Sequence, residues 1–216
     1  MTDFIPRTPP IVDPVIRIAV MVSGNGTTLQ NLIDQIRKRQ LRAEIVHVLA
    51  SKPGIKAITR AEESKIPVTI LQRPYDSCGA FEIIRDNMTD LVVLGGFLEL
   101  IVIPPDYRGR VINIHPSLIP SFCGKGYCGL KVHKAVLKAG VKITGCTTHF
   151  VNDIYDSGPI IIQRALPILE NDTPERLAMR VSAEECIALP ETIELYAAGR
   201  LKIVRNCVQI NRDHYV

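Results

Sequence analysis

Ile16-Arg17-Ile18-Ala19-Val20-Met21-Val22-Ser23-Gly24-Asn25-Gly26-Thr27-Thr28 decides the fold. Its first half is an almost unbroken apolar run rich in β-branched residues, the pattern of a strand buried on both faces. Its second half is a glycine-bearing turn. The chain then changes period: over Leu29–Arg39, Leu32, Ile33 and Ile36 fall on one helical face. Strand, turn and helix in that order make the first half of a βαβ unit.

The same alternation continues along the chain. Strands are expected over Ile45–Ala50, Val68–Leu71, Leu91–Leu94 and Val111–Ile114, with helices over Ile55–Ser64, Ala80–Arg85 and Leu130–Ala139. Further strands fall at Ile143–Phe150 and Ile160–Leu166. A long closing helix, Pro174–Ala198, is expected to be interrupted by Pro190, and Leu201–Ile210 reads as a terminal hairpin. The expected architecture is α/β: three layers, a mostly parallel sheet flanked by helices, with right-handed crossovers. Residues 16–216 are read as a single domain, and 1–15, with four prolines, as a disordered lead-in.

Composition narrows the function class. Of 216 residues, 46% are hydrophobic and 22% charged, with a formal net charge of only +4. No block of Lys and Arg exceeds three residues, so no nucleic-acid partner is expected, whereas a small anionic substrate suits the charge. No apolar run is long enough to span a membrane, and the N-terminus lacks the apolar core of a signal peptide. The six cysteines, Cys78, Cys123, Cys128, Cys146, Cys186 and Cys207, form no CxxC pair. They read as reduced thiols in the cytoplasm, with no metal site.

Ligands of such sheets sit beyond the carboxyl ends of the strands. Three features fall there: the Ser23–Thr28 loop, the Gly95-Gly96 turn, and Asn113-Ile114-His115-Pro116-Ser117. In the first, glycines admit close backbone approach and the N–H groups opening the helix favour a phosphate; the plainer reading is a tight turn with a Thr N-cap. The loop is neither GxGxxG nor GxxxxGK[ST]. In the third, Asn113 and His115 alternate along a strand end and so share a side. Downstream, His149-Phe150-Val151-Asn152-Asp153-Ile154-Tyr155-Asp156-Ser157-Gly158-Pro159 offers a carboxylate to orient the imidazole. An amide donor for an oxyanion, a proton carrier and a group that orients the carrier are what acyl transfer needs. His149 is read as structural, and His47 and His133 as not functional.

On VSGNGTTLQNLI, LVVLGGFLELI, INIHPSLIPSFCGKGYCG and THFVNDIYDSGPIIIQ, in that order and spacing, the chain resembles the phosphoribosylglycinamide formyltransferases from about Ile16 to about Leu201. The resemblance implies the Rossmann-like formyltransferase fold. It also implies transfer of a formyl group from 10-formyltetrahydrofolate, as co-substrate, to the amine of glycinamide ribonucleotide in purine biosynthesis, by a monomer or weak homodimer. Carried over by position, Asn113, His115 and Asp156 are the catalytic set. Gly26, Thr27, Thr28 and Glu185 bind the ribonucleotide. Leu98, Glu99, Leu100, Ile101, Asn152 and Asp153 line the folate site. Two positions depart from the family pattern: Thr28 stands where relatives often have Asn, and Cys78 lies where some place a folate-contacting Arg. A formyltetrahydrofolate hydrolase shares the chemistry but typically carries an N-terminal regulatory domain. A non-catalytic phosphate-binding module on the same fold is the rival of a different class.

Overall fold

A seven-stranded sheet runs in the order β3-β2-β1-β4-β5-β6-β7, with β1 (Ile16–Val22) near its middle. The computed structural model describes residues 15–72 and 75–211, so the lead-in expected over 1–15 lies, Val15 apart, outside the described residues. β2 (Ala43–Ala50), β3 (Val68–Ile70), β4 (Leu91–Leu94) and β5 (Val111–His115) join β1 in parallel ladders. β6 (Ile143–Phe150) and β7 (Ile160–Pro167) extend the sheet antiparallel. β8 (Leu201–Val204) and β9 (Cys207–Ile210) form the terminal hairpin.

The two cores follow from strand alternation. Ile16, Ile18, Val20 and Val22 of β1 belong to one, Ala19 and Met21 to the other. The first core is roofed by α1 (Thr27–Arg37), α2 (Lys56–Glu63), α4 (Leu130–Ala139) and α5 (Pro174–Ala197). The second is smaller, covered by α3 (Ser77–Asp86) and the segment carrying Phe97, Ile101, Ile103 and Tyr107. In β5, Ile112 and Ile114 face the first core and Val111 the second. Asn113 and His115 share the parity of Val111, so they project on the thinly covered side.

Helix starts differ from expectation for local reasons. α1 begins at Thr27 because Gly26 (φ 68) is its N-cap, with no side-chain cap, so the Thr N-cap of the plainer reading is not formed. Only glycine suits that position: a Cβ would lie 2.7 Å from Ala57 Cβ. α3 starts at Ser77 rather than Ala80, since the Asp76 carboxylate accepts from Cys78 N at 2.9 Å and caps the helix. α5 is not interrupted by Pro190 but passes through it. Proline cannot donate to the carbonyl four residues back. That carbonyl, Cys186 O, instead accepts from Asn31 Nδ2 of α1 at 3.1 Å.

Candidate functional site

β1, β4 and β5 all end on one cleft of about 550 Å³, within the size range of small-molecule sites. One wall is the loop after β1 and the first turn of α1. Asn25, Thr27 and Thr28 line the cleft there. With no side-chain cap, the first N–H groups of α1 face an unpaired helix end, where an anion is favoured. Ser23 Oγ accepts from Leu98 N at 3.1 Å and ties this loop to the turn after β4. Arg60 adds a cation beside it, donating to Asn25 O at 2.9 Å. The charge of Arg60 at this loop was not legible in the sequence.

The opposite wall holds the expected trio. Asn113 and His115 come from β5, and Asp156 from the loop between β6 and β7. That loop doubles back tightly, and a Cβ at Gly158 would collide with the Phe150 carbonyl. Asp156 itself sits at φ 52. Its Oδ1 accepts from Asn113 Nδ2 at 3.3 Å, and its Oδ2 accepts from Gly124 N at 2.8 Å. His115 Nδ1 lies 3.4 Å from Oδ2 and His149 Nε2 3.7 Å from Oδ1. The amide orientation is fixed by chemistry: a flipped Asn113 would set its oxygen against the carboxylate.

His115 faces an acceptor at each ring nitrogen, since its Nε2 lies 3.0 Å from Phe122 O. A neutral imidazole satisfies one of the two, and the imidazolium satisfies both. Burial pulls the His115 pKa below its ordinary value, and the Asp156 charge opposes that pull. Burial pushes Asp156 up, but the neighbouring His149 and His115 rings and the Gly124 N–H outweigh it, and the carboxyl is held below its usual range. The pair is therefore a carboxylate that stays ionised beside a buried imidazole whose gain of a proton the carboxylate favours and burial opposes. His149 directs Nδ1–H to Phe150 O at 2.8 Å, which leaves Nε2 toward Asn113 Nδ2 at 3.2 Å.

Glu185 closes the cleft from α5, beside Ala178 and Ser182. Its carboxyl is pushed up to about 7 by burial. His133 of α4, read as not functional, also reaches the wall. It is 3% exposed, and its Nδ1 has no hydrogen-bond partner. The expected folate segment is divided. Leu98 lines the cleft, and Leu98, Leu100 and Val102 are exposed apolar groups. Ile101 instead packs in the second core at 4% exposure. Val102 N donates to Ser77 Oγ at 3.1 Å, which holds this segment against the start of α3, where Cys78 is exposed. Asn152 Oδ1 accepts from Ile154 N and Ser157 Oγ within its own loop. Asp153 pairs with Arg108 at 3.7 Å. Glu99, Leu100, Asn152 and Asp153 are not among the lining residues, nor is Gly26, which acts as the cap behind it. The Phe122 carbonyl and Gly124 N–H were missed because backbone groups carry no residue-type signal. Among the described residues no cluster of His, Cys, Asp and Glu has the arrangement of a metal site, and no helix is long and apolar enough to cross a membrane.

Residues 16–193 match the formyl transferase family model. The chain is 38% identical over 198 residues to the trifunctional purine biosynthetic protein adenosine-3 of Bos taurus, a match covering 88% of this chain but only 19% of that protein's length. It is 36% identical over 193 residues to the chloroplastic phosphoribosylglycinamide formyltransferase of Vigna unguiculata, covering 86% of this chain and 62% of that one. The solved glycinamide ribonucleotide transformylase 1 of Symbiobacterium toebii superposes with a TM-score of 0.83 at 36% identity, covering 91% of this chain and 94% of that one.

Proposed function

This chain belongs to the formyl transferase family, and from that membership we propose that it moves the formyl group of 10-formyltetrahydrofolate onto the amine of glycinamide ribonucleotide, a step of purine biosynthesis. The observation that carries the reading is the placing of Asn113, His115 and Asp156 in one cleft with the uncapped start of α1. A phosphorylated amine anchored at Thr27 and Thr28 has its nucleophile directed across the cleft toward the trio. The exposed Leu98 and Leu100 offer apolar surface to a flat heterocycle, which fits the folate. Glu185, with a carboxyl near neutrality, accepts a hydrogen bond from the substrate amine or its neighbouring amide.

In this reading the amine nitrogen bonds to the formyl carbon, and the carbonyl oxygen takes up negative charge. Asn113 turns an Nδ2–H from its partners within the cluster to that oxygen, and His115, when protonated, turns an N–H from one of its two acceptors to add a second donor. One such donor is worth about 3 kcal/mol in the transition state. The carbon–N10 bond of the folate then breaks, and the proton lost by the amine reaches N10 through His115 or a water held by Asp156. Asp156 aims the imidazole and favours its charged form against the pull of burial. The same reading gives a reducing cytoplasmic setting, which the six free thiols support, and a monomer or weak homodimer.

The test follows folate deformylation spectrophotometrically with and without glycinamide ribonucleotide, beside Asp156→Asn. Turnover that needs the amine and is lost in the variant is expected. Turnover without the amine would make the protein a hydrolase, and none with either ligand would leave the fold without the activity.

A further inference from the structure

Pro190 and Asn31 stand 159 positions apart in the chain (190 less 31) yet serve one carbonyl. Inside α5, Pro190 withholds the N–H that Cys186 O would otherwise accept. Asn31 Nδ2, from the second turn of α1, supplies a donor at 3.1 Å. The residue before Cys186 is Glu185, which faces the cleft, and the turn before Asn31 holds Thr27 and Thr28, which face it from the other side. The bond therefore crosses directly behind the two groups proposed to grip opposite ends of one substrate. α1 and α5 also pack against one another through the first core, so the bond sits on a ready-made contact and fixes its register.

We propose that Asn31 is a positioning residue for the ribonucleotide: by replacing the donor that Pro190 withholds, it locks the Glu185 turn of α5 to the anion-binding turn of α1. It thereby sets the span between the phosphate grip and the carboxylate, and with it the length of substrate accepted. This deepens the ribonucleotide reading of the cleft and rests on it. The mechanism makes a conditional claim. If residue 190 has its own N–H, Cys186 O is satisfied within α5 and Asn31 becomes dispensable.

Asn31→Leu, Pro190→Ala and the double variant test this with steady-state kinetics on both substrates. Asn31→Leu keeps the shape and removes the donor. It is expected to raise KM for glycinamide ribonucleotide about tenfold while KM for the formyl folate moves less than about twofold, since the folate surface lies on the segment after β4. In the Pro190→Ala background the same change is expected to move KM for the ribonucleotide less than about twofold. Equal losses for both substrates, or the same ribonucleotide loss in both backgrounds, would overturn the proposal while leaving the transfer activity standing. Absence of transfer by the wild-type protein would instead remove the reading beneath it, and the proposal with it. Should Asn31→Leu fail to fold, recovery of a folded protein in the double variant supports the link to Pro190, and failure of the double variant contradicts it.

Discussion

Asp156 is the residue on which the proposed chemistry converges, because four groups from three segments address one carboxylate. Asp156→Asn keeps the shape and removes the charge. Its kcat is expected to fall roughly 10²- to 10⁴-fold, the usual scale of general acid–base assistance. The Asp156 charge raises the His115 pKa against burial, so without it His115 should titrate at still lower pH. Nuclear magnetic resonance of the His115 ring in the two proteins reads this directly. Glu185 carries the opposite lesson. Its folded pKa of about 7 lies above the ordinary carboxylate value, so the folded state keeps a proton that the unfolded state gives up. Stability contributed this way is present at low pH and lost as pH rises from the ordinary value through about 7. Glu185→Gln should therefore melt above the wild type at pH 8 and level with it at pH 4, by roughly 2–4 °C for each kcal/mol. The same variant should bind the ribonucleotide more weakly, a gain in stability opposed by a loss of function.

Among the elements, the strands and the bounds of α4 and α5 were legible, and the starts of α1 and α3 were not. Ile16–Val22 and Leu91–Leu94 announce themselves because both faces are buried and the apolar run is unbroken. The start of α1 was misplaced because its cap is a left-handed glycine, which has no side chain to signal the role. The start of α3 was misplaced because Asp76, four residues ahead of the apolar pattern, supplies the cap. Pro190 read as a break because a proline's missing donor is local, while the compensation by Asn31 is remote in sequence. Gly26→Ala tests the α1 start. It forces a side chain into φ 68 and against Ala57, a strain of about 1–3 kcal/mol. The melting temperature should drop by several degrees, and inorganic phosphate binding, measured by calorimetry, should weaken with it. An unchanged phosphate affinity would detach the loop from anion binding.

For the molecule as a whole, the cleft is where elements of both cores meet, so a ligand there should behave as a cross-link. At a hundred times its Kd, glycinamide ribonucleotide should stabilise the fold by about 2.7 kcal/mol. That is a rise of roughly 5–10 °C for a chain of this size, read by scanning fluorimetry. Asp156→Asn should keep most of the rise, because the anion grip on α1 is untouched. The trio itself was legible from residue type and strand parity. The part that holds it was not, because the loop after β5 works through its main chain. That last feature bears on how such a loop can change over generations. Its grip on His115 and Asp156 runs through the Phe122 carbonyl and the Gly124 amide, which flank Cys123. The side chain at position 123 touches neither group and bonds only Pro120 O of its own loop, so its spelling can drift at small cost, whereas inserting or deleting one residue would shift both contacts at once. Natural variants of this loop should differ in letters between Phe122 and Gly124 far more readily than in their number.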